Sequence, residues 1–243
     1  MAPNPAATIS AATDELVAAV NDIGFAPPVA CVYNPLRYAR KMWDRYLERF
    51  ASTAKRTILL GMNPGPWGMA QTGIPFGEIA AVRDWMALSE EIGRPEAEHP
   101  KRPVEGLDCT RSEVSGRRLW SLMAGRFETA EGFFATHFVA NYCPLVFMAD
   151  TGRNITPDKL PADERRPLFR ICDEFLRVVV RALEPDYLVG VGKFAESRAE
   201  TACSGMDDPP KIATILHPSP ASPAANRDWA GTVTRQLTEL GVW

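Results

Sequence analysis

Several features that would narrow the function are missing from this sequence of 243 residues. No apolar run approaches the length that spans a bilayer, and no basic residue precedes Arg37, so we expect neither a membrane span nor a secretory leader. The five cysteines are odd in number and include no C-x-x-C pair, which suits neither an iron–sulfur cluster nor a disulfide framework. We therefore expect a cytoplasmic protein whose thiols are reduced.

The charge balance also lacks a strong bias. A net charge of −3 argues against a protein that coats nucleic acid non-specifically, because such binding neutralises many phosphates. One interpretation of the segment 99–118 is a local basic patch, since five lysines and arginines are interspersed there with acidic residues. The alternative interpretation of this segment is an ordinary solvated loop.

Hydrophobic residues make up 46% of the chain, which is enough for a sizeable core. We predict one domain over residues 11–243. Residues 1–10 are rich in alanine and proline, and we predict that they are disordered.

Short apolar runs alternate with helical patterns along the chain. Helices connecting parallel strands cover both faces of a sheet, so this alternation predicts an α/β fold, a doubly wound three-layer α/β/α arrangement around a central, mainly parallel four-stranded sheet. The predicted strands lie at 57–61, 136–141, 186–192 and 211–216. The predicted helices lie at 12–20, 38–50, 78–91, 115–126 with Ser115 as N-cap, 161–183, 194–203 and 226–240.

The segment from Gly61 to Gly77 follows the first predicted strand and contains five glycines and three prolines. Such a loop turns sharply yet is stiff, and its backbone N–H groups can approach a ligand closely. Open α/β sheets bind ligands at the carboxyl ends of their strands, where this loop lies. Asn63 and Phe76 are the candidate functional residues within it.

Polar or glycine residues stand at the ends of all four predicted strands. They are Asn63, Asn141, the pair Gly190 and Gly192, and His217. Because parallel strands end at one edge of the sheet, four such coincidences favour a shared cleft. Taken singly, each asparagine could be a turn former or a satisfied buried amide, and His217 could be a structural histidine.

The segment from Gly190 to Ala195 imitates two phosphate-binding motifs but satisfies neither. Tyr187 stands where the Walker motif has its first glycine, and Phe194 stands where it has serine or threonine. The next strand ends in His217 and not in an acidic residue that could bind ribose. A flavodoxin-like nucleotide-binding protein is therefore disfavoured.

The segments 61–77 and 217–226 closely resemble the two signature motifs of the single-strand-selective monofunctional uracil-DNA glycosylases, a branch of the uracil-DNA glycosylase superfamily. The similarity extends through nearly the whole chain after residue 30. It includes the stretches 99–104, 112–116, 152–154, 189–192 and 239–241.

The resemblance implies an enzyme that flips uracil out of DNA and hydrolyses its glycosidic bond, leaving an abasic site in base-excision repair. It implies that Asn63 holds the attacking water and that His217 stabilises the departing base. Asn141 would read the base, Phe76 would stack on it, and Gly65 would leave room beside uracil C5. The implied base-binding residues are Met62, Gly65, Met69, Phe76 and Asn141, and the implied DNA-penetrating loop contains Ser219, Pro220, Ala221, Ser222, Pro223 and Asn226.

The expected partner is uracil-containing DNA, single-stranded and in some measure duplex, and no cofactor, metal or membrane is expected. We expect a monomer, associated with the nucleoid in a bacterium or located in the nucleus of a eukaryote. Ala221 departs from the family pattern, in which some members carry arginine, so we predict weaker activity on duplex DNA. A glycosylase for deaminated purines and a catalytically silent lesion-binding module stay open as alternatives.

Overall fold

A computed structural model of the protein describes residues 4–243. These residues form the strands β1 (Cys31–Tyr33), β2 (Thr57–Gly61), β3 (His137–Asn141), β4 (Val146–Met148), β5 (Asn154–Ile155), β6 (Tyr187–Val191) and β7 (Lys211–Ile215). The central sheet has the strand order β3-β2-β6-β7, and all of its neighbouring pairs are parallel. The predicted central sheet and α/β fold class are confirmed.

The helices that flank the sheet cover most of the remaining chain. They are α1 (Pro5–Asn21), α2 (Pro35–Tyr38), α3 (Arg40–Phe50), α4 (Met69–Thr72), α5 (Val114–Phe127), α6 (Ala130–Phe134), α7 (Ala162–Leu183), α8 (Lys193–Cys203) and α9 (Pro223–Glu239). Helix α8 packs on β6 and β7, α9 packs on β7, and α1 lies across α3 and α7. None of the helices in residues 4–243 has the length and apolar character needed to cross a membrane.

The central strands are buried because helices cover the sheet. Every residue of β2 is buried, and Ile58, Leu59 and Leu60 have no exposed surface. Parallel strands that are covered on both faces need continuous apolar runs, which is the pattern in the sequence. One cluster of buried side chains extends from Ala6 to Val242.

The strand order reverses between β2 and β6, because the chain continues from β2 to β3 on one side and from β6 to β7 on the other. Chain connections from neighbouring strands diverge at such a switch point and leave a crevice outside the carboxyl ends. The long loop that follows Gly61 starts at this crevice. The fold therefore places the glycine- and proline-rich segment where a ligand would bind.

The helix predicted over 78–91 forms only in its first half. Ile79 and Ala80 are α-helical, the turn Ala81–Trp85 that follows is π-helical, and Ala87 has a left-handed backbone with φ of 50°. The guanidinium of Arg49 donates to the carbonyl groups of Met86 and Ala87, so a distant side chain binds the carbonyls that a longer helix would use. The apolar residues Val82 and Met86 are nevertheless buried, which explains the helical pattern in the sequence.

The predicted disorder of residues 1–10 is wrong for residues 5–10, which form the start of α1; residues 1–3 lie outside the described residues. The Asn4 side chain accepts the backbone N–H of Ala6, Pro5 occupies the first turn, and Ile9 is fully buried. Proline at the first turn and asparagine before it favour a helix start, a signal that the alanine-rich composition obscured.

Two further differences concern short elements. Strands β1, β4 and β5 form a small antiparallel sheet that was not predicted, because runs of two or three residues carry no usable period. Helix α5 begins at Val114 with Glu113 as its N-cap, not with Ser115, and α9 begins at Pro223.

Candidate active site

The candidate site lies at the carboxyl edge of the central sheet. Gly61, the last residue of β2, pairs with Asn141, the last residue of β3. Gly192 follows β6, and His217 stands two residues beyond β7. The predicted convergence of strand ends is therefore present in the structure.

The side chains of Asn141 and Phe76 both reach the surface of Gly61. A Cβ atom built on Gly61 would lie 2.6 Å from Cε2 and 2.9 Å from Cζ of Phe76, and it would overlap Oδ1 of Asn141. Only glycine leaves room for both groups here. Gly61 was not among the predicted site residues, although its position at the end of a buried strand was visible in the sequence.

The Asn141 amide is only weakly satisfied within the protein. Its Nδ2 donates to the sulfur of Met69 at 3.3 Å, and a thioether is a weak acceptor. A ligand that offers a carbonyl oxygen and an N–H group would form two stronger hydrogen bonds. Met69, a predicted base-binding residue, thus lies against the predicted base-reading residue.

The Asn63 side chain is fixed through its nitrogen. Nδ2 donates to the carbonyl oxygen of Leu145 at 3.1 Å and to that of Pro64 at 3.3 Å. These bonds determine which end of the amide is the oxygen, and they leave Oδ1 as a hydrogen-bond acceptor. An oriented amide oxygen can hold a water molecule but cannot take its proton.

His217 presents a donor to the site. Its Nδ1 accepts the backbone N–H of Ser219 at 3.0 Å, so the neutral ring carries its proton on Nε2. Burial lowers the pKa of His217, which keeps the ring neutral at pH 7. The ring lies over Gly192, where a Cβ would be 3.2 Å from the His217 Cβ, and its centroid is 6.4 Å from that of Phe76.

Phe76 is held in a strained backbone conformation. Its φ is 53°, in the left-handed region that bulky residues rarely adopt. The Phe76 carbonyl accepts the Trp120 indole N–H at 2.9 Å and the Glu78 backbone N–H at 2.7 Å. Strain of this kind persists only where the surroundings fix it, and it is common at functional sites.

Glu113 packs against the loop 61–77 at Gly65 and Gly68. The Glu113 Oε1 would be 3.0 Å from a Cβ built on Gly65, and Oε2 has no hydrogen-bond partner among the described residues. Burial raises the pKa of Glu113 to about 7, the nearby Glu78 carboxylate adds to the rise, and a hydrogen bond from Gly116 opposes it. Met62, also predicted to bind the base, is half-buried, and its carbonyl accepts the Cys143 N–H at 2.9 Å.

The predicted DNA-penetrating loop after His217 is internally bonded. Ser219 Oγ accepts the Ala221 N–H at 3.1 Å, and Ser222 Oγ caps α9 by accepting the Ala225 N–H at 3.3 Å. Pro220, Ala221 and Pro223 are exposed at its tip. The loop is therefore a rigid protrusion with a small apolar tip.

Arg118 of α5 anchors this loop through hydrogen bonds. Its guanidinium donates to the carbonyl groups of Pro218 and Ser219 at 3.0 and 3.3 Å and to Oδ1 of Asn226 at 2.8 Å. Asn226 in turn donates to the Pro220 carbonyl at 2.8 Å. Asn226 therefore positions the loop, and its predicted direct contact with DNA stays a prediction.

Neither a metal cluster nor a lysine nucleophile stands out at the edge of the sheet. Within residues 4–243, no three His, Cys, Asp or Glu side chains are grouped so that they could hold a metal ion. Lys193, next to Gly192, is paired with Glu196 at 2.7 Å and points into solvent. The chemistry available at this edge is that of amides, an imidazole, an aromatic ring and backbone groups.

Comparisons with known proteins show to which family the chain belongs. Residues 48–237 match the model of the uracil DNA glycosylase superfamily. The chain is 45% identical over 227 residues to the single-strand selective monofunctional uracil-DNA glycosylase of Rattus norvegicus, covering 93% of this chain and 82% of the rat protein. The corresponding protein of Bos taurus is 45% identical over 223 residues, covering 92% of this chain and 82% of its own length.

A solved structure supports the fold independently of close sequence similarity. The crystal structure of Pedobacter heparinus SMUG2 has a TM-score of 0.66 and 16% sequence identity, and the match covers 95% of this chain and 97% of that one. The strand-edge site, the family model over most of the chain and the relatives at 45% identity agree. The chain therefore belongs to the uracil-DNA glycosylase superfamily and, within it, to the single-strand-selective monofunctional uracil-DNA glycosylases.

Proposed function

We propose that this protein hydrolyses the N-glycosidic bond of uracil in DNA and leaves an abasic site for base-excision repair. One observation supports this most directly: the Asn141 amide, the Phe76 ring and the His217 imidazole converge at the carboxyl edge of the sheet. The Asn141 amide and the Phe76 ring both pack against Gly61. A base buried within a DNA stack cannot reach such a site, so the nucleotide must be flipped out.

Asn141 discriminates uracil from cytosine. Its N–H donates to uracil O4, and its carbonyl oxygen accepts the uracil N3–H. Cytosine reverses both polarities and leaves buried polar groups unpaired, which costs about 1–3 kcal/mol for each group. Phe76 stacks on the flipped ring, which raises affinity by about 1–3 kcal/mol without selecting a particular base.

Bond cleavage proceeds without a general base. Asn63 holds the water through Oδ1 but cannot take its proton, so the glycosidic bond must be largely broken before water attacks. The sugar then carries oxocarbenium character, and the departing uracil carries negative charge; the proton that the water loses when it adds to the sugar passes through solvent to the uracil anion. The Nε2–H of His217 donates to uracil O2 as that charge develops, an interaction stronger in the transition state than in the bound substrate.

The site also accepts uracils substituted at C5, such as 5-hydroxymethyluracil. Gly65 projects no side chain, and the atom nearest to a Cβ built there is the Oε1 of Glu113, at 3.0 Å. The Oε1 atom of Glu113 can accept a hydrogen bond from a hydroxymethyl group at C5. Release of 5-hydroxymethyluracil from an oligonucleotide tests this; failure to release it while uracil is released would contradict it.

The decisive experiment is uracil release in EDTA. The purified protein is incubated with a uracil-containing oligonucleotide, and abasic sites are then cleaved with alkali. Strand scission only after alkali supports a monofunctional uracil-DNA glycosylase. Release solely from hypoxanthine or xanthine DNA would support a purine-directed glycosylase, and a DNA mobility shift without base release would support a silent binding module.

Gly61→Ala tests whether Phe76 and Asn141 must pack closely against residue 61. The added methyl group would displace Phe76 and Asn141, and a misplacement near 1 Å costs about a hundredfold in rate. We expect kcat/KM for uracil release to fall about a hundredfold. Gly24→Ala is the matched control, because no described residue lies within 4 Å of a Cβ built there, and activity is expected to be unchanged. Full activity of Gly61→Ala, measured on folded protein, would show that uracil release does not need a glycine at position 61.

Ala221 tests how the loop acts on duplex DNA. An alanine at the exposed tip fills little of the gap left by a flipped nucleotide, so the wild-type protein is expected to act faster on single strands. Ala221→Arg and Ala221→Leu are expected to raise the duplex rate severalfold and to leave the single-strand rate within twofold. The leucine variant separates filling of the stack from charge. Equal wild-type rates on duplex and single-stranded substrates would refute this explanation.

We propose in addition that the protein acts as a monomer. All of the proposed site residues come from one chain and from one edge of its sheet. Sedimentation or light scattering at the concentrations used for the activity assay measures the oligomeric state directly.

A further inference from the structure

A groove of about 850 Å³ runs between α5 and α9, beside the DNA-penetrating loop. Arg117, Arg118 and Arg126 of α5 line it on one side, and Arg227 of α9 lines it on the other. Trp243, near the chain's end, also lines it. The chemistry proposed for uracil release uses none of these side chains.

The groove carries a strong local positive charge. Its lining includes four arginines and a single acidic residue, Asp228, although the whole chain is acidic, with a net charge of −3. Asp228 is already engaged, because its Oδ1 accepts the Gly231 N–H at 2.9 Å. An isolated basic surface on an acidic protein is the electrostatic footprint expected of a nucleic-acid contact.

The groove arginines are not neutralised within the protein. Among residues 4–243, no carboxylate lies within 4.0 Å of the guanidinium nitrogens of Arg117, Arg118, Arg126 or Arg227. Arg126 stacks instead on Trp243, with 4.4 Å between the guanidinium carbon and the ring centroid. Stacking fixes the guanidinium plane and leaves its N–H groups directed to other acceptors.

The groove is continuous with the loop that enters DNA. Arg118 lines the groove and also binds the carbonyl groups of Pro218 and Ser219, and Asn226 belongs to both the groove and the loop. A DNA strand bound at the loop therefore lies next to the arginines of the groove. Planar guanidinium groups suit phosphate oxygens, to which they donate pairs of parallel hydrogen bonds.

We infer that the phosphodiester backbone on one side of the flipped nucleotide runs along the α5–α9 groove, with its phosphates bound by Arg117, Arg126 and Arg227. This inference rests on the proposed function, since it presupposes a DNA substrate seated at the loop. Binding here supplies affinity along the strand and carries no sequence information. The groove extends the footprint of the protein on DNA beyond the flipped base.

The test compares long and short DNA at several salt concentrations. The triple variant Arg117→Gln, Arg126→Gln, Arg227→Gln leaves Arg118 and the loop intact. Affinity for a uracil-free 25-mer is measured by fluorescence anisotropy, and uracil release is measured on a 25-mer and on a 5-mer with central uracil. The matched control replaces Arg166, Arg170 and Arg181 of α7 by glutamine, which removes the same charge from exposed residues outside the groove.

The groove variant is expected to bind the 25-mer about tenfold or more weakly, and the slope of log K against log salt is expected to shrink by about 2 to 3, roughly one for each phosphate that the variant no longer binds. Its KM on the 25-mer rises, whereas its rate on the 5-mer stays within twofold of wild type. The α7 control and a triple Arg→Lys variant of the groove keep most of the wild-type slope.

Two results would overturn the inference. One is an unchanged salt slope in the groove variant, and the other is an equal reduction of the slope in the α7 control, which would trace the effect to overall charge. Substrates lengthened only on the 5′ or only on the 3′ side then assign the strand direction. Because anisotropy needs no catalysis, a protein that binds the 25-mer through the groove but releases no uracil would refute the proposed function and leave the groove's role in DNA binding standing.

Discussion

Asn141→Ala is expected to lower kcat/KM for uracil release about a thousandfold. The substitution leaves uracil O4 and N3–H without partners in a buried site, and two such unpaired groups at about 2 kcal/mol each correspond to that factor. Among residues 4–243, the Asn141 amide has only the weak Met69 sulfur as its hydrogen-bond partner, so its removal has little effect on the free protein. The measurement is single-turnover release of uracil from a single-stranded oligonucleotide.

Asn141→Asp is the matched control for size. A carboxylate occupies the same volume but lacks the N–H donor for uracil O4, so we expect the rate to fall at least about a hundredfold at pH 8. Thermal unfolding of each variant, compared with wild type, separates a missing hydrogen bond to the base from a damaged fold. If either folded variant keeps a rate within tenfold of wild type, Asn141 does not read the base.

His217→Phe is expected to lower kcat for uracil release about 100- to 1000-fold with little change in KM. The phenyl ring fills similar space but cannot donate to uracil O2, and removal of one such donor costs about 2.7–4 kcal/mol in the transition state. His217→Gln retains an N–H donor and is expected to keep more activity than His217→Phe. Equal activity of the phenylalanine variant and wild type would exclude donation by this residue.

The pH profile provides a second test of His217. Burial lowers its pKa below the ordinary histidine value of 6.5, so the folded protein keeps a neutral ring with its proton on Nε2 down to a lower pH. The kcat of wild type is therefore expected to be flat from pH 8 to 6.5 with respect to this group. Protonation at lower pH places a hydrogen on Nδ1, which then opposes the Ser219 N–H.

The same shift predicts how folding stability responds to pH. Because the unfolded chain binds the proton near pH 6.5 and the folded protein binds it lower, the free energy of unfolding falls as the pH drops below 6.5. The His217→Gln variant lacks this contribution to the pH dependence of the free energy of unfolding.

For the pH profile of kcat, a decrease centred at or above pH 6.5 that disappears in His217→Gln would contradict a buried neutral imidazole.

Local sequence was sufficient for the main architecture and for the positions of the candidate site residues at one edge of the sheet. The four parallel strands were predictable because strands covered on both faces need continuous apolar runs. Asn63, Asn141 and His217 stood at strand ends, and the geometry of a parallel sheet then required them to share an edge. The glycine- and proline-rich loop marked the same edge through backbone requirements that few other residues meet.

Interactions between distant parts of the chain decided where local patterns were misleading. The period over 78–91 is helical, yet Arg49, some 37 residues earlier in the chain, binds the carbonyls of Met86 and Ala87, and the helix stops at Trp85. In the reverse sense, the alanine-rich start of the chain folds as α1, because its apolar face packs against α3 and α7.

The sequence by itself determined the family, the parallel sheet and the identity of the polar groups at its edge. The tertiary structure alone decided that Gly61 must lack a side chain, that Arg118 anchors the loop after His217, and that basic residues of α5 and α9 form one groove. The physical reason is that hydrophobic period and turn composition are local properties. Contacts between residues a hundred positions apart exist only once the layers have packed.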